Sequence, residues 1–350
     1  MMTPLTVDFA RAFVAALPAA AIVVERDLRI VAFNPPATAL LPALTAGHHL
    51  VHVLRAPDVL DSVRRVAQSR RPETVTWRMR QPIEQAFEVH CAALVFGSPE
   101  AIGVLLSLND ITETVRVDRL RSDFIANASH ELRTPLASLL GFIETLQGAA
   151  RDDTRARENF LEIMRGQGQR MARLIDDLLS LSRIEQKEHV RPADAIDLVA
   201  IVRHVADTLT HLVRDSGLAL RIEAPAPVVV TGDRDELLRV VENLIENALK
   251  YAAPSERAEA NTVDITVGIE GRHGFVSVRD HGPGIDAQHL PRLTERFYRV
   301  DAGASRAKGG AGLGLAIVKH TLARHRGRLD IESTLGEGAT FTAYIALLKP

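Results

Sequence analysis

Two stretches of heptad-spaced apolar residues constrain this chain more than any other feature. Ile125, Ala128, Leu132, Leu139, Phe142 and Leu146 form the first, and Phe160, Met164, Met171, Leu174, Leu178 and Leu181 form the second. Alternating steps of three and four describe a seam along one side of an α-helix. Asp152-Asp153-Thr154 supplies capping residues before the second stretch. Residues 115–187 are therefore expected to form a helical hairpin. Its apolar faces exceed what one hairpin covers, so a second copy should complete a four-helix bundle, and a homodimer is expected. Gly166, Gln167 and Gly168 interrupt the second seam.

The first helix carries reactive side chains off its seam. Within Phe124-Ile125-Ala126-Asn127-Ala128-Ser129-His130-Glu131-Leu132-Arg133-Thr134-Pro135-Leu136, His130 faces away from the apolar stripe. Thr134, four residues on, shares its face, and Glu131 flanks it. Pro135 removes one backbone donor and favours a bend one turn after the histidine. A lone histidine on a helix is ordinarily a surface residue. To read it as a phosphoryl acceptor, a nucleotide site is needed elsewhere in the chain.

Residues 194–348 supply one. They alternate expected helices (Leu198 to Val213, Asp233 to Tyr251, Leu313 to His325) with expected strands, as in an α/β sandwich of helices on a mixed sheet. In the helix from Asp233, Asn243, Asn247 and Lys250 fall on one polar stripe. Carboxamide oxygens suit Mg²⁺, and a lysine nearby suits phosphate. Asp280-His281-Gly282-Pro283-Gly284 follows a strand, where glycines permit close approach of the backbone to a ligand and an aspartate can accept from an exocyclic amine. Gly309-Gly310-Ala311-Gly312-Leu313-Gly314-Leu315 opens onto a helix, whose free N–H groups favour phosphate. Each signal is weak alone, and their order makes them strong together. Between them, Glu295 to Asp301 and the small polar stretch to Lys308 read as a mobile lid with an aromatic anchor.

At 350 residues the chain is expected to hold two or three domains. Lys plus Arg (42) balances Asp plus Glu (44), so nothing in the charge asks for nucleic acid. The single Cys91 rules out an intrachain disulfide and fits a reducing compartment. No run approaches the roughly 20 apolar residues that span a bilayer; Phe13 to Val24 contains Pro18 and stops at Glu25. As given, the chain is expected to be soluble and cytoplasmic. The doubled start Met1-Met2 leaves open a membrane tether outside this chain, at the cytoplasmic face of the inner membrane. Residues 8–114 mix short helices with β-rich runs, as an antiparallel sheet with helices on one face would. His48, His49 and His52 read as loop histidines, with no cysteine or carboxylate to complete a metal set.

With these residues in view, 115–348 resembles the catalytic core of bacterial two-component sensor histidine kinases. The stretch around His130 is similar to the family's H box, Asn243 to Tyr251 to its N box, Asp280 to Gly284 to its G1 box, Glu295 to Tyr298 to its F box and Gly310 to Gly314 to its G2 box. Residues 8–114 resemble a PAS sensor domain, through Phe33-Asn34 and the exit Asp110-Ile111-Thr112. The wording of Glu295 to Asp301, with a PAS-like region before the H box, is nearest in type to phosphate-regulon sensor kinases.

The resemblance implies a multidomain α+β protein with a PAS-like α/β domain, a dimeric hairpin and an ATP-binding α/β sandwich of the GHKL (Bergerat) type. It implies ATP with Mg²⁺ on Asn247, assisted by Asn243, and adenine on Asp280. It places Lys250, Tyr251, Gly282, Gly284, Phe297, Gly310, Gly312, Leu313 and Gly314 around the nucleotide. It makes His130 the phosphoacceptor, Glu131 the general base and Thr134 a determinant of phosphatase activity, with a response regulator receiver domain as partner. A nucleotide-binding scaffold without chemistry would have lost His130, Asn247, Asp280 or the glycines, and none is lost. Simple ATP hydrolysis, as in related chaperone and mismatch-repair ATPases, leaves the H box on a dimerising hairpin unexplained.

Overall fold

The computed structural model describes residues 4–79, 84–95, 102–148, 150–187, 189–252, 261–300 and 310–348. It divides into two compact units, Met1–Asp123 and Phe124–Pro350.

The first unit runs α1 (Pro4–Ala15), β1 (Ala20–Glu25), β2 (Ile30–Phe33), α2 (Pro35–Leu40), α3 (Pro57–Ser69), β3 (Glu73–Met79), β4 (Gln85–Val95) and β5 (Ile102–Asp110), then enters α4 (Thr112–Gln147). Among the described residues its five strands pair antiparallel in the order β2-β1-β5-β4-β3. Strand β4 alternates buried Phe87, Val89 and Cys91 with exposed Glu88 and His90, the period of two that a half-covered sheet imposes. Strand β1 is buried on both faces: Ile22 and Val24 pack with Val59, Val63 and Val66 of α3, and Ala21 and Val23 pack with Ala10 and Val14 of α1.

Asn34 ties these layers together. Its Oδ1 accepts from the N–H groups of Ala21 (3.0 Å) and Ala37 (3.1 Å), and its Nδ2 donates to the carbonyls of Val14, Leu17 and Ala19. A side chain 1% exposed and fully hydrogen-bonded adds specificity without leaving a buried polar group unpaired. His49 has a local role, its Nδ1 accepting from Val51 N–H (3.3 Å) over the turn Leu50–His52.

The second unit contains the rest of α4 and then α5 (Thr154–Gln186), β6 (Asp194–Asp197), α6 (Leu198–Thr208), α7 (Thr210–Ser216), β7 (Ala219–Glu223), β8 (Val229–Gly232), α8 (Arg234–Tyr251), β9 (Thr262–Glu270), β10 (His273–Asp280), α9 (Gly314–Arg324), β11 (Arg328–Thr334) and β12 (Gly338–Ala346). Among the described residues a five-stranded sheet has the order β11-β12-β10-β9-β7; β7 and β9 are parallel and the other pairs antiparallel. Leu198, Val202, Leu244, Ile245 and Val318 from α6, α8 and α9 pack on Val263, Ile265, Val276, Val278 and Phe341 of the sheet. The single helix expected over Leu198 to Val213 is two, because the chain turns at Leu209 and buries that side chain.

The hairpin follows its seams with two corrections. The packed phase on α4 starts from Phe124, half-buried, whereas Ile125 is 56% exposed, and Pro135 is itself buried on the seam. Helix α5 runs unbroken through Gly166 to Gly168, so the interruption is of the apolar stripe only. Asp153 caps α5, accepting from Ala156 N–H (2.9 Å), and Phe142 meets Phe160 in a tilted pair with ring centroids 5.1 Å apart.

Candidate active site

Helix α8 builds one wall. Asp233 caps it, its Oδ1 accepting from the N–H groups of Asp235 and Glu236. Leu237, Val241, Leu244, Ile245 and Ala248 are drawn into the core, which turns Asn243, Asn247 and Lys250 toward a cavity of about 700 Å³. That volume lies within the range of small-molecule sites. Asn243 Nδ2 donates to the Arg239 carbonyl (2.8 Å), so its Oδ1 is directed at Gly314, the first residue of α9. A Cβ at Gly314 would collide with that oxygen, so glycine lets the carboxamide and the helix N-terminus approach this closely, and a larger residue would displace the carboxamide. Lys250 lines the cavity and is paired with Glu246 (2.6 Å) one turn back.

The turn after β10 forms the second wall. Asp280 is 5% exposed, its Oδ1 accepts from Gly282 N–H (2.9 Å), and burial pushes its carboxyl above the usual range. A Cβ at Gly282 would lie 2.6 Å from the Tyr251 carbonyl oxygen. Gly284 has φ +70° with the Thr334 carbonyl where a Cβ would sit, a conformation and a contact that only glycine accepts. In the glycine-rich turn Gly312 has φ +75°, and its carbonyl accepts from Phe297 N–H (2.8 Å). Phe297 itself has φ 62°, a conformation costly for a non-glycine residue, and its hydrogen bond to Gly312 helps hold it there.

Asn243, Asn247, Lys250, Tyr251, Asp280, Gly284, Gly310, Gly312 and Gly314 all line the cavity. Gly282, Phe297 and Leu313, expected among them, do not. Gly282 is wedged between Tyr251 and Asp280, while Phe297 and fully buried Leu313 turn into a cluster with Phe124, Leu174, Leu181, Ile184 and Ile317. Of the lid expected over Glu295 to Lys308, residues 301–308 lie outside the described residues.

The hairpin supplies a third wall that sequence reading missed. Arg170, Arg173, Asp177, Ser180 and Arg183 of α5 line the cavity together with Glu131 of α4. Glu131 pairs with Arg170 (3.1 Å), and the Arg299 guanidinium lies 3.9 Å from the same carboxylate oxygen. Arg239 pairs with Asp177 (2.9 Å), and Arg296 with Glu185. Burial pushes the Asp177 carboxyl up against the pull of Arg239, and burial raises Glu242 with Glu246 adding to it. His130 is exposed and outside the cavity lining, next to Glu131, which is inside it. The Thr134 hydroxyl donates to the His130 carbonyl (3.3 Å). Only the one-turn spacing of Arg170 and Arg173 carries a trace of this wall in sequence.

The residues present fit a Mg-nucleotide. A buried carboxylate, glycines pressed against backbone, a helix N-terminus and carboxamide oxygens line one cavity.

Three family models match in succession: the PAS fold at residues 14–116, the His Kinase A (phospho-acceptor) domain at 120–187, and the histidine kinase-, DNA gyrase B-, and HSP90-like ATPase at 232–349. The chain is 36% identical to the phosphate regulon sensor protein PhoR of Pseudomonas aeruginosa over 265 residues, 76% of this chain and 58% of that protein. It is 36% identical to the sensor-like histidine kinase SenX3 of Mycolicibacterium smegmatis over 240 residues, 68% and 60% of the two chains. Against the sensor histidine kinase WalK of Bacillus subtilis it is 33% identical, over 69% of this chain and 39% of that protein. It therefore spans less than two thirds of the length of each of these relatives. A PAS fold, a phospho-acceptor hairpin and an ATPase fold in this order make the chain a member of the PAS-containing two-component sensor histidine kinases.

Proposed function

We propose that the chain is an ATP-dependent autokinase that phosphorylates His130, with 8–114 as sensor, 115–187 as phosphotransfer hairpin and 194–348 as nucleotide domain. One observation carries this reading: Glu131, the neighbour of His130, lines the same cavity as Asn247, Asp280 and the glycines. In the transfer, a ring nitrogen of His130 forms a bond to the γ-phosphorus, the bond from that phosphorus to the bridging oxygen breaks, and ADP leaves. Glu131 takes the proton from the other ring nitrogen, which requires its pair with Arg170 to open. Asp280 accepts from the adenine amine, and Gly310 to Gly314 bring backbone N–H groups to the phosphates. Asn247, assisted by Asn243, would hold Mg²⁺, which supplies charge neutralisation. Phosphoryl transfer asks mainly for positioning and electrostatics, which these walls are built to give.

The phosphohistidine would pass its phosphoryl group to an aspartate of a response regulator receiver domain, and Thr134, one turn on, would orient the water that hydrolyses that aspartyl phosphate, releasing inorganic phosphate and restoring the carboxylate. A homodimer is supported by Leu136, Leu140 and Ile143 on α4 and Ile175 and Leu179 on α5, all exposed in a single protomer. Phosphate-starvation signalling is the pathway we propose, supported by the similarity to the phosphate regulon sensor; a deletion strain that responds normally to phosphate limitation would reject it. No helix among the described residues is long and apolar enough to cross a membrane.

The kinase reading is tested with γ-labelled ATP and Mg²⁺. Acid-labile, alkali-stable label on the wild type and none on His130→Ala is the expected result; equal label on both would sink it.

A further inference from the structure

The hairpin ends at Gln186 and the next strand begins at Asp194. Across that connection lies Arg324, the last residue of α9, with its side chain 5% exposed. Its single Nε–H is shared between the carbonyls of Lys187 (3.1 Å) and Val190 (2.9 Å), and its Nη1 meets Glu236 in the first turn of α8. The next residue, His325, is fully buried. Its Nδ1 bonds the Thr321 carbonyl (2.8 Å) and its Nε2 accepts from Asp233 N–H (3.0 Å), so a single tautomer satisfies both contacts. The C-terminal end of α9 thus grips both the chain leaving the hairpin and the cap of the helix that carries Asn243 and Asn247. The other end of α9 is Gly314, closed against Asn243. Eleven residues, about 16 Å of helix, join the two ends.

A guanidinium taken out of water against two carbonyls and one carboxylate is a costly way to pack, and an apolar pair of similar volume would hold the fold as well. What the guanidinium adds is geometry, since one rigid plane holds the shared Nε–H on the two linker carbonyls and Nη1 on Glu236 at a fixed angle. We propose that Arg324 is a positioning residue for phosphoryl transfer, which sets the angle at which the hairpin leaves α8 and α9. The glycine-rich end and the linker end of α9 then move as one body. This rests on the kinase reading of the cavity. Arg324 acts through the linker and touches neither nucleotide nor His130.

The test uses the full chain with Arg324→Lys, which keeps a cation opposite Glu236 and loses the rigid plane that ties it to the linker carbonyls. Spin labels on cysteines introduced by Glu158→Cys and Glu337→Cys, in a Cys91→Ala background, report hairpin-to-ATPase distances without any need for catalysis. The expected result is a broader distance distribution, ATP affinity within about twofold of wild type, and a turnover for His130 labelling about tenfold lower at saturating ATP. An unchanged distribution, or a loss of ATP affinity that matches the loss of rate, overturns the proposal. If Arg324→Lys does not fold, Arg324→Met with Glu236→Leu removes both buried charges and is judged by the same readouts. A wild type that places no label on His130 defeats the kinase reading, while the distances still decide the role of Arg324.

Discussion

Gly314 illustrates how tightly single residues are specified around the cavity. Alanine is the better helix former by about 1 kcal/mol, yet a Cβ here would strike Asn243 Oδ1. Gly314→Ala is therefore expected to preserve thermal stability and weaken Mg-ATP binding about tenfold, or ~1.4 kcal/mol, by calorimetric titration; undiminished affinity would remove the carboxamide from the site. His325 makes a pH prediction. Burial holds its imidazole below the ordinary value of 6.5, so between that depressed value and 6.5 the unfolded chain binds one more proton than the folded one. Stability is expected to fall as pH drops from about 6.5. Urea midpoints followed from about pH 7.5 to about 5.5 should decline less steeply in His325→Gln, and parallel curves would contradict this. At this scale Gly284, Gly310, Gly312, Gly314, Asn243, Asn247 and Asp280 were legible as cavity residues because their chemistry is local to short motifs. That Lys250 is engaged by Glu246, and that Phe297 and Leu313 are apolar anchors outside the cavity lining, depends on neighbours no motif contains.

Among the elements, the hairpin shows how far periodicity reads. The two helices follow from the heptad steps, but the packed phase of α4 begins at Phe124 because that ring meets Phe297, centroids 5.8 Å apart and 173 positions away in sequence. A 3.6-residue helix drifts against a 3.5-residue seam, so local spacing leaves the phase open by one residue. The stripe of Leu136, Leu140 and Ile143 with Ile175 and Leu179 remains exposed on a lone protomer. Leu140→Glu combined with Leu179→Glu is expected to convert a dimer to a folded monomer by sedimentation, with far-ultraviolet circular dichroism retained. An unchanged sedimentation coefficient would place the dimer contact elsewhere.

For the whole molecule, the order of PAS-like, hairpin and ATPase regions was readable because each has its own period and turn chemistry. The hairpin wall of the cavity and the clamp at Arg324 were not, since Glu131 and Arg170 stand 39 residues apart and Arg324 reaches Lys187 across 137. Such pairings leave no periodic trace in a single sequence. The central claim is that the γ-phosphoryl group of ATP held against Asp280 and Asn247 ends on His130. Its most direct test is mass-spectrometric mapping, at neutral to alkaline pH, of the chain after incubation with Mg-ATP. The account predicts one phosphoryl group on His130, absent in Asp280→Asn. Modification of Ser129 or Thr134 instead, or of His130 undiminished in Asp280→Asn, would contradict it.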